Sequence, residues 1–219
     1  MNTRVLVTGF EPFGGETVNP ALEAVKRLAG RTIETSEGSI QLLTQDIPTV
    51  FGRSVEVLAK AIEETQPDVV ICVGQAGGRQ HITPERVAIN VDDARIPDNA
   101  GQQPVDASIV ADGPVAYWTG LPVKRIVQSL QAAGIPASVS NTAGTYVCNH
   151  IFYGLMHLLQ TKYPKIRGGF VHIPFLPEQV VDKQAPSMSL ENIVKALEIT
   201  VTTTALYTTD LAIAAGAEC

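Results

Sequence analysis

The feature that most constrains the fold is the apolar run DVVICVG at residues 68–74, followed at once by the turn sequence QAGGR. A run without polar alternation is typical of a strand that is buried on both faces of a parallel sheet. Parallel neighbours are joined by crossovers that are usually helical, and these helices cover the faces of the sheet. The run therefore predicts an α/β fold.

The rest of the chain alternates between strand and helix patterns, in agreement with this expectation. Strands are predicted over residues 4–8, 137–140 and 169–173, and helices over 20–29, 50–64, 123–133, 148–160 and 190–206. We expect one catalytic domain over 1–219, with three α/β/α layers around a mainly parallel, mixed sheet. Residues 92–120, rich in Asp, Gly, Pro and Gln, should form loops, and the tail 212–219 should fray.

Charge and composition exclude several classes of function. The net charge of −6 is opposite to the basic footprint that nucleic acids and anionic membranes require. No stretch of 18 apolar residues and no signal-peptide pattern is present, so we expect a cytoplasmic protein. The three cysteines are an odd number without metal-type spacing, which argues against a disulfide framework or a structural metal.

The turn after the first predicted strand, TGFEPFGG at residues 8–15, resembles a phosphate loop only superficially. Its glycines do not follow the dinucleotide-binding spacing, and Gly15 and Glu16 stand where a P-loop needs Lys and Ser or Thr. What the loop does offer is two aromatic rings, Phe10 and Phe13. Such a loop suits a small, flat, neutral ligand.

Cys148 is the candidate nucleophile. It lies near the first turn of a predicted helix, where unpaired N–H groups and the helix dipole are expected to lower the pKa of a thiol. Apolar residues follow it at helical spacing, so a buried structural thiol is the competing interpretation.

A thiol nucleophile needs a base, and four histidines are available. His172 is favoured because it ends the apolar strand GGFVHIP, at the carboxyl edge where α/β proteins bind ligands. Glu85 falls on the apolar side of the alternating segment TPERVAINVDD and needs a buried partner, either an imidazole or an arginine. If that partner is His172, Glu85 orients the base.

Five segments together resemble the pyroglutamyl peptidase type I (pyrrolidone-carboxylate peptidase) family. They are TGFEPFGG, GQAGGR with ITPERVAIN, DDARIPDNAG, SNTAGTYVCNH and FVHIPFLPEQ, in unbroken order along most of the chain. The resemblance implies that Cys148 is the nucleophile, His172 the base and acid, and Glu85 the group that orients His172. The implied reaction removes N-terminal 5-oxoproline (pyroglutamate) from peptides, with no metal or cofactor.

The resemblance also implies a substrate pocket and an assembly. The implied pocket residues are Phe10, Phe13, Asn19, Gln75, Arg95, Tyr146 and Val147. Tyr146 stands where many members have phenylalanine, so its hydroxyl needs a partner or water. A homotetramer is implied as well. Two other functions remain open on the residues alone: a nucleoside-phosphorylase-like enzyme, and a non-catalytic protein that binds a small ligand.

Overall fold

The computed structural model describes residues 2–216, so Cys219 and the end of the tail predicted to fray lie outside the described residues. The strands are β1 (Asn2–Phe10), β2 (Thr32–Thr35), β3 (Gly38–Ile47), β4 (Val69–Gln75), β5 (Thr83–Pro84), β6 (Val87–Ile89), β7 (Ala116–Trp118) and β8 (Arg167–Ile173). The helices are α1 (Pro20–Leu28), α2 (Arg53–Thr65), α3 (Val123–Ala132), α4 (Val147–Thr161) and α5 (Leu190–Leu206).

Six strands form one mixed sheet in the order β2-β3-β1-β4-β8-β5. The four central strands are parallel, and β2 and β5 pair antiparallel at the two edges. The predicted run forms β4, in which every residue is buried. The α/β fold class with a mainly parallel sheet is therefore confirmed.

Side-chain alternation along the central strands divides the core into two layers. Val69, Ile71 and Val73 of β4 face a cluster that includes α1, α3 and α5. Val70 and Cys72 point to the opposite face, where they pack with residues of α2 and α4. This is the three-layer α/β/α arrangement that the sequence predicts, and it puts α4 on the same side of the sheet as Cys72.

Three parts of the strand prediction are wrong. The strand β7 lies in the segment 92–120, which was expected to form loops. The strands β2 and β3 were not expected, because only Ile40, Leu42 and Ile47 of β3 are buried and the polar residues between them hide the pattern. The segment 137–140 is not a continuous strand and makes only isolated parallel bridges, Ile82 with Ala137 and Glu85 with Ser140. Pro84, which lies between these bridges, has no N–H to donate, so the ladder is interrupted there.

The first helix packs very closely on β1. Asn19 caps α1 by accepting a hydrogen bond from the Ala21 N–H at 3.0 Å, and Pro20 occupies the first turn. A Cβ at Gly9 would lie 2.7 Å from the Ala21 carbonyl oxygen. The glycine is therefore required by the contact between the strand and the helix.

We expect Gly9→Ala to lower the free energy of unfolding by about 2–3 kcal/mol, because backbone must move to admit the methyl group. Gly30→Ala is the matched control: Gly30 has φ +69° and open space around its Cβ position, so only backbone strain of about 1 kcal/mol is added. Urea unfolding followed by circular dichroism measures both. Equal losses in the two variants would contradict the close-approach explanation.

Candidate active site

The candidate nucleophile lies where α4 meets the carboxyl edge of the sheet. Cys148 is the second residue of α4, and the N-cap residue Tyr146 makes no capping hydrogen bond through its side chain. The first N–H groups of this helix are therefore not capped by the residue that precedes them, and they are suitable donors to an anion.

A glycine in β4 makes room for the sulfur atom. A Cβ at Gly74 would lie 2.9 Å from the Cys148 Sγ and 2.7 Å from the Phe170 ring. Gly74 is also the register partner of His172 in the parallel β4–β8 pair. Because Phe170 belongs to the α4 side of the core, His172, two residues further along β8, also points to that side. Cys148 and His172 therefore lie on the same side of the sheet, and both are next to Gly74.

The orientation of His172 is fixed by Glu85. The distance from His172 Nδ1 to Glu85 Oε1 is 2.7 Å. A carboxylate accepts the hydrogen bond, so Nδ1 carries the proton and the Nε2 lone pair is free to receive one. Both side chains are buried, which protects this hydrogen bond from water.

Glu85 is buried for a different reason from the one expected. Glu85 is 0% exposed. In the following strand, β6, Ala88 is buried, while Val87 and Ile89 are only half-buried. The assumed common face of Glu85, Val87 and Ile89 is therefore wrong, because the chain leaves β5 and the main sheet at this point and starts a separate two-stranded sheet, β6–β7. One oxygen of the buried carboxylate, Oε1, is paired with polar partners. Both partners considered from the sequence are present: His172 and Arg79 share Oε1.

The electrostatics make the resting pair neutral. Burial raises the pKa of Cys148 to about 12, and the charge of Glu85 adds to the rise while Arg79 opposes it. Burial also lowers the pKa of His172 below its ordinary 6.5, against the opposing effect of Glu85. The pKa of the thiol is therefore raised, opposite to the lowering expected from the helix terminus, and desolvation is the largest cause. A neutral thiol needs a base to become a nucleophile, and the neutral His172 imidazole lies on the same side of the sheet.

A cavity of about 370 Å³ opens beside the start of α4. Its lining includes Phe13, Arg95 and Tyr146, three of the seven residues expected in the pocket. The rings of Phe13 and Tyr146 have centroids 5.9 Å apart. The Tyr146 hydroxyl donates to the Pro97 carbonyl at 3.1 Å, which supplies the partner that the sequence left open.

The structure places the other expected pocket residues away from that cavity. The side chains of Phe10 and Val147 belong to the core, with exposures of 2% and 0%. Asn19 is occupied with capping α1, and Gln75, at the end of β4, accepts a hydrogen bond from Gln179 at 2.9 Å. The role of these four residues in substrate binding stays a prediction.

The loop that carries Phe13 is held by side chains from three other segments. Asn19 and Thr49 both donate to the Glu11 carbonyl, at 3.2 and 2.9 Å. Asn99 donates to the Pro12 carbonyl at 2.9 Å. The two residues before Phe13, Glu11 and Pro12, are therefore both fixed by hydrogen bonds to their carbonyl groups.

Two polar features of the site were missed from the sequence. Arg79, which closes the glycine turn after β4, donates to Glu85 at 2.6 Å. His150 lies 2.7 Å from Asp92 through Nδ1 and accepts from the Gly52 N–H through Nε2. A signal for Arg79 was available, since a buried carboxylate demands a cation or a donor nearby, but the spacing could not identify which arginine supplies it.

Within residues 2–216, no three His, Cys, Asp or Glu side chains are grouped as metal ligands.

The chain is similar in sequence to known proteins over most of its length. The family model for pyroglutamyl peptidase matches residues 3–207. The chain belongs to the pyroglutamyl peptidase family. A pyrrolidone-carboxylate peptidase of Bacillus licheniformis is 61% identical over 211 residues, which is 96% of each protein.

Solved structures of this family share the fold. The crystal structure of pyroglutamyl peptidase I from Bacillus amyloliquefaciens has a TM-score of 0.94 and 56% identity, covering 98% of this chain and 100% of that one. A mutant pyrrolidone carboxyl peptidase from the hyperthermophile Pyrococcus furiosus has a TM-score of 0.88 and 44% identity, covering 93% and 98%. The family assignment inferred from the five motifs is confirmed.

We expect iodoacetamide to modify Cys148 before Cys72. Cys148 is partly exposed, whereas Cys72 is buried with a pKa raised to about 12. Because the pKa of Cys148 is also raised to about 12, we expect its reactivity to depend on His172 as the base. His172→Ala should therefore slow the labelling of Cys148 and leave Cys72 unmodified.

Peptide mapping by mass spectrometry separates these two sites from Cys219, and a urea-unfolded sample shows the labelling of all three without protection. Faster modification of Cys72 in the folded protein would contradict the buried position of β4.

Proposed function

We propose that the protein is a cysteine exopeptidase that removes N-terminal 5-oxoproline from peptides, with Cys148, His172 and Glu85 as its catalytic group. The observation that carries the proposal is the hydrogen bond between His172 and the buried Glu85. His172 lies beside Gly74 of the neighbouring strand, and Cys148 Sγ lies close to the same glycine. Membership of the pyroglutamyl peptidase family supplies the substrate class. It favours this reaction over a nucleoside phosphorylase or a passive binding protein.

The first half of the reaction is acyl transfer to sulfur. His172 Nε2 accepts the Cys148 proton as the sulfur attacks the carbonyl carbon that joins 5-oxoproline to the next residue. The negative charge that develops on the carbonyl oxygen is stabilised by N–H groups at the start of α4. The imidazolium then gives its proton to the departing amine, the C–N bond breaks, and a thioester of 5-oxoproline remains on Cys148.

The second half returns the enzyme to its starting state. His172 removes a proton from water, the resulting hydroxide attacks the thioester carbon, and the C–S bond breaks. The proton returns to sulfur, and free 5-oxoproline leaves. Glu85 keeps Nδ1 protonated throughout and stabilises the imidazolium whenever it forms.

Recognition of the lactam ring is proposed to rest on neutral contacts. The ring has one N–H and one carbonyl but no charge, so aromatic faces and hydrogen bonds suffice. Phe13 and Tyr146 offer these faces in the cavity, and Arg95 lines the same space. Arg95 is proposed as a cation near the oxyanion, and Phe10, Asn19, Gln75 and Val147 complete the pocket that the family resemblance implies.

We further propose a cytoplasmic homotetramer that acts on peptides and binds neither nucleic acid nor membrane. No helix in residues 2–216 is long and apolar enough to cross a membrane. Val105, Val115 and Trp118 are 71%, 88% and 71% exposed, and apolar side chains of this size are suited to contacts between copies of the chain. Light scattering coupled to size-exclusion chromatography measures the mass.

Cys148→Ala should lower kcat/KM for a pyroglutamyl reporter amide at least about 10⁴-fold, since the thioester cannot form. Cys72→Ala is the control, because Cys72 lies in the core and should leave turnover within a few-fold of the original. The Cys148→Ala protein should still bind a non-cleavable 5-oxoproline amide in calorimetry. Turnover retained by the Cys148→Ala protein would refute the mechanism.

The pH dependence follows from the protonation state of His172. The base must be neutral, and its pKa is lowered below 6.5, so kcat/KM should hold at pH 7 and decline as the pH falls through this lower value. Glu85→Gln removes the negative charge that raises the pKa of His172, so the acidic limb should move to still lower pH while kcat drops. An acidic limb centred above pH 7 in the original protein would be inconsistent with this site.

A further inference from the structure

Arg79 makes an unusually dense set of hydrogen bonds behind the proposed catalytic group. Its Nη1 donates to Glu85 Oε1 at 2.6 Å and Thr83 Oγ1 at 2.8 Å, and it lies 3.3 Å from Ser140 Oγ. Its Nη2 donates to the Thr142 carbonyl at 2.9 Å. The side chain is 29% exposed, so most of it is enclosed by these partners.

The contact with Glu85 acts on one oxygen only. Arg79 and His172 both donate to Oε1, while the buried Oε2 has no hydrogen-bond partner within residues 2–216. With Oε2 unsupported, the carboxylate orientation depends on these two donors. His172 is the group that has to be oriented, so Arg79 is the donor that fixes the carboxylate independently of it.

The second arm of Arg79 reaches the turn that leads into α4. The Thr142 carbonyl accepts from Arg79, and the hydroxyls of Ser140 and Thr142 accept from the N–H groups of Thr142 and Gly144, at 3.3 and 3.0 Å. This turn comes just before the first turn of α4, which contains Cys148. One guanidinium therefore joins the carboxylate that orients the base to the segment that positions the nucleophile.

We propose that Arg79 is a positioning residue for the acyl transfer, which holds the Glu85–His172 pair in place relative to the start of α4. The inference rests on the proposed function, because the roles of Glu85, His172 and Cys148 belong to it. Arg79 acts through Glu85 and does not touch the substrate. A purely structural ion pair would affect folding, and its charge would still act on His172, but a folded variant without it would keep the rate of the chemical step.

The charge of Arg79 gives the proposal a specific readout. The groups whose charges act on His172 are Glu85, which raises its pKa, and Arg79, which lowers it. The pKa of Cys148 is affected by the charges of Glu85, Arg79 and Cys72. The charge of Cys148 in turn affects the pKa of Tyr146. Removing the guanidinium takes away a positive neighbour and leaves Glu85 uncompensated. Both changes raise the pKa of His172.

The experiment compares Arg79→Met and Arg79→Lys with Arg53→Met, a control at an arginine that is 64% exposed. For Arg79→Met we expect kcat/KM to fall about 10- to 100-fold, mostly in kcat, the range found when groups that orient metal-bound histidines are removed. Its acidic limb should move to higher pH. Arg79→Lys keeps the charge and loses the two-armed geometry, so kcat should fall while the acidic limb stays in place.

A direct measurement does not depend on peptidase activity. In a Cys148→Ala background, the ring signals of His172 can be titrated by NMR with labelled histidine. The titration should move upward with Arg79→Met and stay unchanged with Arg79→Lys and Arg53→Met. Thermal unfolding establishes that each variant is folded, and Arg79→Gln provides the neutral side chain if Arg79→Met does not fold.

The inference is overturned if a folded neutral variant keeps kcat/KM within twofold, or if its His172 titration does not move upward. These results differ from failure of the proposed function, in which the unaltered protein would not cleave the pyroglutamyl reporter at all. The NMR titration would still report the coupling of Arg79 to His172 in that case.

Discussion

The in-register pairing of β4 with β8 is the contact on which the site depends. It sets Gly74 beside His172, and the missing side chain of Gly74 is what allows the Cys148 sulfur to approach the sheet. Any larger residue there would meet both the sulfur and the Phe170 ring. The relative positions of Cys148 and His172, two members of the proposed catalytic group, are therefore determined by two strands and the first turn of one helix.

Burial and nearby charges set the protonation states of Cys148 and His172. The thiol is kept neutral by desolvation, and the imidazole is kept neutral for the same reason. In the proposed mechanism, proton transfer from the thiol to the imidazole creates an imidazolium, which is stabilised by a carboxylate that is already in place. Glu85 tolerates complete burial because Arg79 and His172 both donate to it.

The sequence predicted the parts of this site that depend on regular structure. The uninterrupted run of β4, the strand end at His172 and the helix start at Cys148 are local patterns, and each was found close to its expected position. It failed where long-range contacts decide. Glu85 was assigned to a face by alternation, but the partners of its buried carboxylate are the distant residues Arg79 and His172. Nothing in the spacing shows that the chain leaves the sheet after Pro84. The sign of the shift in the Cys148 pKa was missed similarly, because desolvation depends on residues such as Gly74 and Phe170 that are distant in sequence.

The bracing of the loop before Phe13 has a consequence for small substrates. Asn19, Thr49 and Asn99 fix the Glu11 and Pro12 carbonyls before any ligand arrives, so the conformational entropy of this segment is lost during folding. A single 5-oxoproline ring has few atoms with which to offset the ordering of a mobile loop. A binding surface that is rigid beforehand lets a fragment of that size be held with useful affinity, whatever peptide follows it.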